Sequence, residues 1–266
     1  MRIRAIAANT FAGLLRNKLI VFFFAGFVCI VLLMMTPLLM LKSMAASAPE
    51  TLQSSTYPMI GAVMGMVSGF GSLLAAWAAA DSVWGEMKSG TILAVMARPV
   101  RRWEFLLGKY LGVQLLMAVY IVLMFGLSYA LAWLGGGRIQ SAAPWALIAY
   151  PLVRYAIYSA IALLLVTVMH PVVAFGIVMI VSVLASILSP GSLGSFLPPW
   201  VRSAVYTVLP SAALLSESRF LTITEARLKE IPWTDHAVTL AYGLDYALVF
   251  FLFAVWAFRR RGLARD

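Results

Sequence analysis

Six apolar segments, each about as long as a lipid bilayer is thick, constrain this chain more than any other feature. They run over residues 19–41, 60–80, 112–134, 146–169, 171–189 and 239–258. A helix needs roughly 20 apolar residues to cross about 30 Å of hydrocarbon, and it satisfies its own backbone hydrogen bonds while doing so. The segments therefore predict an all-α membrane protein with six transmembrane helices.

The composition agrees with this class. Hydrophobic residues make up 63% and charged residues 11% of the 266 positions, whereas soluble domains have about 45–50% and 25%. The net charge of +10 arises mainly at the ends of the apolar segments, where basic residues mark the cytoplasmic side of a bilayer. This placement argues against nucleic acid as a partner. The single cysteine, Cys29, lies inside an apolar segment, and packing is its expected role.

The basic residues are divided unevenly between the two sides of the predicted bundle. Six crossings place both termini on one side, together with the loop over 81–111. Thirteen of the twenty Lys and Arg residues fall on this side: Arg2, Arg4, Arg16, Lys18, Lys88, Arg98, Arg101, Arg102, Lys109, Arg259, Arg260, Arg261 and Arg265. The positive-inside rule therefore predicts that both termini and this loop are cytoplasmic.

The first 18 residues are expected to form an interfacial helix. The apolar residues that fall near one helical face are Ile3, Ile6, Ala7, Phe11, Leu14 and Leu15. Such a face favours a helix lying at the membrane surface. An unstructured basic leader is the alternative.

A seventh apolar stretch, residues 201–216, is not counted as a crossing. It has sixteen residues and contains Arg202 and Pro210. We expect a re-entrant or interfacial element within an external segment over 190–238, because irregular backbone at membrane depth must be covered by protein or water. The chain as a whole, 1–266, is then one membrane domain.

The loop over 81–111 is the most polar part of the sequence. A short helix is predicted from Trp84 to Val95, and Pro99 ends it because proline cannot continue a helical hydrogen-bond ladder. A second helix is predicted to start near Arg102, with Glu104 in its first turn, where the helix dipole favours a negative charge. Spacing alone leaves two interpretations open: a rigid handle for another protein, or a solvated loop held by lipid headgroups.

The segment GEMKSGTILAVMARPVRRWEFLLGKYLG resembles the cytoplasmic signature of the ABC-2 type permeases. The residues that carry the resemblance are Glu86, Gly90, Thr91, Arg98, Pro99, Val100, Arg102, Gly108 and Lys109. Weaker similarity covers most of the chain, from LRNK before the first span to FRRRGL after the last. Many members carry a Lys-Glu pair in the first helix, where this chain has Asn9-Thr10.

The resemblance implies a fold and a mechanism. Such permeases are dimers of six-span subunits, and a coupling helix between the second and third spans binds a separate ATPase. Residues 84–102 would form this coupling element, and the resemblance assigns ATPase coupling to Glu86, Gly90, Thr91, Arg98, Pro99, Arg102, Gly108 and Lys109. It further implies an exporter in the inner membrane of a prokaryote, surrounded by lipid, with a second permease copy or paralogue.

The ATP chemistry is expected in the partner chain. The segment SGTILAVM lacks the second glycine and the lysine of a GxxxxGK[ST] phosphate-binding loop. The chain is therefore not expected to be an enzyme or to bind a cofactor itself, and ATP with Mg²⁺ would be bound by the ATPase subunit. The substrate is not readable from the sequence.

Two charged residues fall inside predicted spans. Arg154 lies in the outer third of the fourth span and Asp245 in the outer third of the sixth. Because charges inside a bilayer are costly, they usually face a partner or a water-filled cavity. Three arrangements remain open: the two residues pair, both line an external vestibule at the dimer axis, or each reaches the interface separately.

The histidines and glycines give further expectations. His170, directly before Pro171, is expected in a tight cytoplasmic turn, and His236 is expected outside with no neighbouring histidine or cysteine, so no metal site is predicted. Gly61, Gly65 and Gly69 recur every four residues. They form either a packing face within the subunit or the lining of a central path.

A secondary transporter or channel that works without an ATPase is the alternative function. That class is expected to show inverted repeats and more acidic residues near the middle of the bilayer, and the sequence shows neither. An intramembrane enzyme is less favoured still, because no span contains a metal-binding or nucleophile motif.

Overall fold

The described part of the chain folds into seven helices. The computed structural model describes residues 2–44, 49–89, 101–134, 144–188 and 232–260, and a few residues between 198 and 216. The helices are α1 Arg2–Arg16, α2 Lys18–Met44, α3 Pro49–Lys88, α4 Arg102–Leu134, α5 Ala146–Val166, α6 Pro171–Ile187 and α7 Trp233–Arg260. These ranges contain no strand, so the predicted all-α class is confirmed for them.

Five of these helices are long and apolar enough to cross a membrane, namely α2, α3, α4, α5 and α7. The sixth apolar helix, α6, has 17 residues and is shorter than the other five. Its start is set by Pro171 at the first helical turn, with His170 as the N-cap. Five of the six predicted spans are therefore helices of spanning length, and the predicted span over 171–189 is a shorter helix within the described residues.

Several helices extend beyond the predicted spans. The backbone N–H of Ser89 donates to the carbonyl of Gly85, 3.1 Å away, and α3 continues to Lys88. Residues 84–88 therefore belong to α3. For them the prediction of a separate short helix that starts at Trp84 is wrong. Helical bonding does not require apolar side chains, so a helix can leave the membrane without ending. The remainder of the predicted coupling helix, over 90–100, lies outside the described residues.

Contacts between helix ends establish the directions of the helices. At one end of the bundle α2, α4 and α6 begin, while α3, α5 and α7 end. The contacts that join elements at this end include Asn17 to Asp81, Trp84 to His170, and Arg102 to Arg259. We call it the basic end, because Lys88, Arg101, Arg102, Arg259 and Arg260 lie there.

The opposite end holds the starts of α5 and α7. The indole rings of Trp145 and Trp233 stack with their centroids 5.3 Å apart and an angle of 2° between the planes. The two helices therefore run parallel. Indole rings of this kind are enriched where a membrane meets water.

The core of the bundle lies between α3, α4 and α5. A Cβ atom on Gly71 would come within 2.3 Å of the hydroxyl of Tyr155 and 2.7 Å of the ring of Tyr120, so only glycine allows these rings to approach α3. The Tyr120 hydroxyl donates to the carbonyl of Val67 over 2.9 Å. Gln114 similarly donates to Ser159, 2.7 Å away. Close packing at small residues and interhelical hydrogen bonds are what hold helices together in lipid.

The outward faces of the helices are apolar. Phe22 is 71% exposed on α2, and Leu252 is 57% exposed on α7. Large apolar side chains exposed along whole helices are unfavourable in water but are solvated by lipid tails. This surface agrees with a membrane environment.

The amino-terminal helix α1 packs across the start of α4. A Cβ on Gly108 would meet Ile6 at 2.6 Å, and one on Gly112 would meet Thr10 at 2.7 Å. The helix itself is confirmed and the alternative of an unstructured leader is wrong, whereas its interfacial position stays a prediction. The predicted apolar face is correct except at Leu15, which is 44% exposed. Leu14, also on the predicted face, is buried, and so is Thr10, which the prediction did not include.

Replacing Gly112 by alanine is expected to loosen the contact between α1 and α4. The added methyl would lie 2.8 Å from the carbonyl oxygen of Ala7, and overpacking of this kind costs about 1–3 kcal/mol. The midpoint of unfolding of the purified protein in mixed micelles should therefore fall.

Gly126→Ala is the matched control for Gly112→Ala. Gly126 lies on the same helix, and a Cβ there meets nothing within 4 Å. Alanine should leave stability unchanged or raise it by about 0.5–1 kcal/mol, because glycine is the poorer helix former. Equal effects of the two substitutions would contradict the close approach of α1.

Candidate functional site

An ion pair joins the two helices that flank the loop at the basic end. The ammonium of Lys109, two turns into α4, donates to the Oε1 carboxylate oxygen of Glu86 in the last turn of α3. The side chain of Lys109 is only 5% exposed, and that of Glu86 is 23% exposed. A buried ammonium needs a counter-charge to remain stable. The pair therefore fixes the base of the loop over 89–101.

The exit of the loop is fixed by two polar contacts of its own. The backbone N–H of Arg101 donates to the Oε2 atom of Glu104 over 2.9 Å, which satisfies one of the donors that a helix start leaves unpaired. The guanidinium of Arg102 donates to the carbonyls of Phe258 and Arg259, 3.2 Å and 2.8 Å away, at the end of α7. The sequence prediction that Glu104 stabilises the first turn of this helix is confirmed.

A second polar link lies between α2 and α3. The amide of Asn17 donates to Asp81 over 2.7 Å, and its Oδ1 atom accepts a 3.0 Å hydrogen bond from the backbone N–H of Leu19. Asn17 therefore caps the start of α2 while it contacts the end of α3. The described hydrogen bond of Asp81 is therefore with the residue that caps the first span.

Four of the residues that the resemblance assigned to coupling lie around this segment: Glu86, Arg102, Gly108 and Lys109. Gly108 and Lys109 are buried, the first against α1 and the second against α3. Their described contacts are within the chain. The other four, Gly90, Thr91, Arg98 and Pro99, lie outside the described residues, as does Val100.

Sequence reasoning missed two of the groups at the basic end. One is Asn17, although an asparagine directly before an apolar run is an N-cap signal that would have identified it. The other is the pair of backbone carbonyls at the end of α7 that Arg102 binds. No sequence signal marks a carbonyl acceptor so far along the chain.

A family model described as an ABC-2 family transporter protein matches residues 4–263. The chain belongs to this family. The match extends over all seven helices, and the family is a membrane component of transporters, not itself catalytic. A search of curated proteins finds no match to the chain. The ABC-2 chain is thus a multi-pass membrane protein of a transporter family.

Arg154 and Asp245, the two charged residues inside the predicted spans, lie in different surroundings in the ABC-2 chain. Arg154 donates to the hydroxyl of Ser68 on α3, and Asp245 is exposed on α7. The pairing of the two residues and a shared vestibule at a dimer axis both stay predictions.

His236 lies in an aromatic cluster at the end opposite the basic end. It is 4% exposed, and its Nδ1 atom shares a 2.9 Å hydrogen bond with the hydroxyl of Tyr150. The rings of Trp145 and Trp233 lie 4.8 Å and 5.8 Å from the imidazole. Within the described ranges no group of three His, Cys, Asp or Glu residues forms a metal site. The cluster therefore joins the starts of α5 and α7.

The glycines that recur on α3 differ in their surroundings. A Cβ on Gly65 or Gly69 would meet no described atom within 4 Å, and both residues are exposed. For these two residues the interpretation as a packing face within the subunit is wrong. Among the glycines of α3 whose surroundings are described, Gly71 is the one in close contact with other helices. The surroundings of Gly61 lie outside the described side chains. Lining of a central path stays a prediction.

The pair of Lys109 and Glu86 is expected to behave as a buried ion pair in a double-mutant cycle. Glu86→Gln removes the carboxylate that the ammonium of Lys109 binds, and we expect a loss of about 3 kcal/mol in the free energy of unfolding. Adding Lys109→Met to Glu86→Gln removes the buried charge and should recover most of that loss. Unfolding in mixed micelles, followed by tryptophan fluorescence, measures both effects.

Lys88→Met is the control for this cycle. Lys88 is exposed in the same turn of α3 as Glu86, and surface substitutions usually change stability by about 0.5 kcal/mol or less. A double variant as unstable as Glu86→Gln alone would contradict a paired, buried Lys109.

Proposed function

We propose that the ABC-2 chain is the permease subunit of an ATP-driven exporter in the cytoplasmic membrane of a prokaryote. The observation that carries this proposal is the family match over residues 4–263. In the proposed topology the chain crosses the membrane six times, and α6 supplies the fifth crossing. Its 17 residues extend about 25 Å at 1.5 Å per residue, which approaches the thickness of the hydrocarbon core.

The basic end faces the cytoplasm in this proposal. The alternating directions of the helices and the positive charges at this end support the orientation, since basic residues are retained on the cytoplasmic side. Both termini and the loop over 89–101 are then cytoplasmic. The external segment over 190–238 faces the other side.

Residues 90–100, the part of the loop before Arg101, are the proposed docking surface for an ATPase. The two helices that flank the loop are tied to the rest of the bundle by Glu86 with Lys109 and by Arg102, which holds both ends of the loop. Gly90, Thr91, Arg98 and Pro99 lie on it and are the proposed contact residues. ATP and Mg²⁺ are bound by the ATPase, and two permease copies, or one copy and a paralogue, form the path through the membrane.

Purification of the tagged chain from its own host tests the docking surface. We expect an ATPase with a GxxxxGK[ST] loop to copurify, identified by mass spectrometry. Arg98→Glu reverses a charge within the loop and should lower the recovery of the ATPase roughly tenfold. Arg227→Glu, in the predicted external segment, should leave the recovery unchanged.

Two outcomes would contradict the proposal. Equal recovery of the ATPase with Arg98→Glu and with the unchanged chain would exclude the loop as the docking surface. Transport by the purified chain in liposomes, without any ATPase, would instead support the secondary transporter or channel.

A further inference from the structure

Arg102 binds a helix end that belongs to the last span. Its guanidinium donates to the carbonyls of Phe258 and Arg259, which lie in the last described turn of α7. The negative end of the helix dipole favours a cation at this position. The side chain of Arg102 is therefore directed at α7, although its backbone directly follows the loop.

An aromatic contact strengthens the same junction. The rings of Phe105 and Phe258 stack with centroids 6.0 Å apart and 18° between their planes, and both residues are buried. Phe105 lies one turn after Arg102 on α4. Two successive turns of α4 thus contact one turn of α7, which resists both sliding and rotation of one helix against the other.

The junction continues to the start of the loop. The ammonium of Lys109 lies 5.6 Å from the centre of the Phe105 ring and binds Glu86 at the end of α3. Arg102, Phe105 and Lys109 follow one another at spacings of three and four residues, which places them along one side of α4. A continuous series of contacts therefore connects both ends of the loop to the end of α7.

We infer that Arg102 is a positioning residue that transmits movement of the loop to the last span, and that it is not part of the surface that binds the ATPase. The inference rests on the proposed function and changes the role that the resemblance gave to this residue. A push on the loop moves the rigid start of α4, and Arg102 with Phe105 makes α7 follow.

The test compares Arg102→Ala, Arg102→Lys and Arg101→Ala in the complex copurified with its ATPase. Arg101 is the matched control, because it is the exposed neighbour and its described contact uses only the backbone N–H. Two quantities are measured: the amount of bound ATPase, and the change in hydrogen–deuterium exchange of the peptides over 89–101 and 250–260 when ATP and vanadate are added.

We expect all three variants to bind as much ATPase as the unchanged chain. In Arg102→Ala the nucleotide-dependent change should persist in the loop peptide and be lost in the α7 peptide. Arg102→Lys should restore part of it, because lysine retains the charge but lacks the planar fork of donors. Arg101→Ala should behave as the unchanged chain. If Arg102→Ala does not fold, the exchange of the two peptides is compared between Arg102→Lys and the unchanged chain instead.

Three results would overturn the inference. Loss of ATPase binding in the Arg102 variants, with binding retained by Arg101→Ala, would place Arg102 on the docking surface. An unchanged response of the α7 peptide in Arg102→Ala would show that the contact transmits nothing. Absence of any ATPase with the unchanged chain would overturn the proposed function and this inference with it.

Discussion

The packing of the first three turns of α4 against three other helices is the contact on which the basic end depends. Arg102 and Phe105 meet α7, Lys109 meets α3, and Gly108 and Gly112 meet α1. In lipid, an apolar side chain gains little free energy when it moves from the lipid tails to a contact with another helix. Helix positions are therefore set by close packing and polar contacts. This segment of α4 supplies both kinds within a few residues.

The apolar segments predicted most of the fold because the bilayer imposes length and polarity on each crossing. They could not predict helix ends, which depend on where backbone hydrogen bonding stops. At Asp81 a charge suggests the end of a span, yet α3 continues to Lys88. Residues from Trp233 to Val238 are too polar to be counted as a span, yet they begin α7. Stacking on Trp145 and contacts around His236 order that turn.

The sequence could predict which residues belong to the site, but not which of them contact each other. Glu86 and Lys109 were recognised by resemblance, whereas their ion pair depends on the rotation of two helices about their axes. The same limit applies to Arg154, whose hydrogen bond to Ser68 on α3 could not be read from the sequence positions of the two residues. Spacing along one helix determines which residues share a face, but partners on separate helices follow from packing.

The contact at Thr10 illustrates how one residue restricts another. Thr10 donates its hydroxyl to the carbonyl of Ile6 over 2.8 Å and packs against Gly112. Gly112 lies one turn after Lys109 on α4. A glutamate at position 10 would place a carboxylate in this buried contact, where it would need a partner of its own. With threonine there, α1 approaches α4 closely without adding a charge, and Lys109 is directed to α3 at the base of the loop.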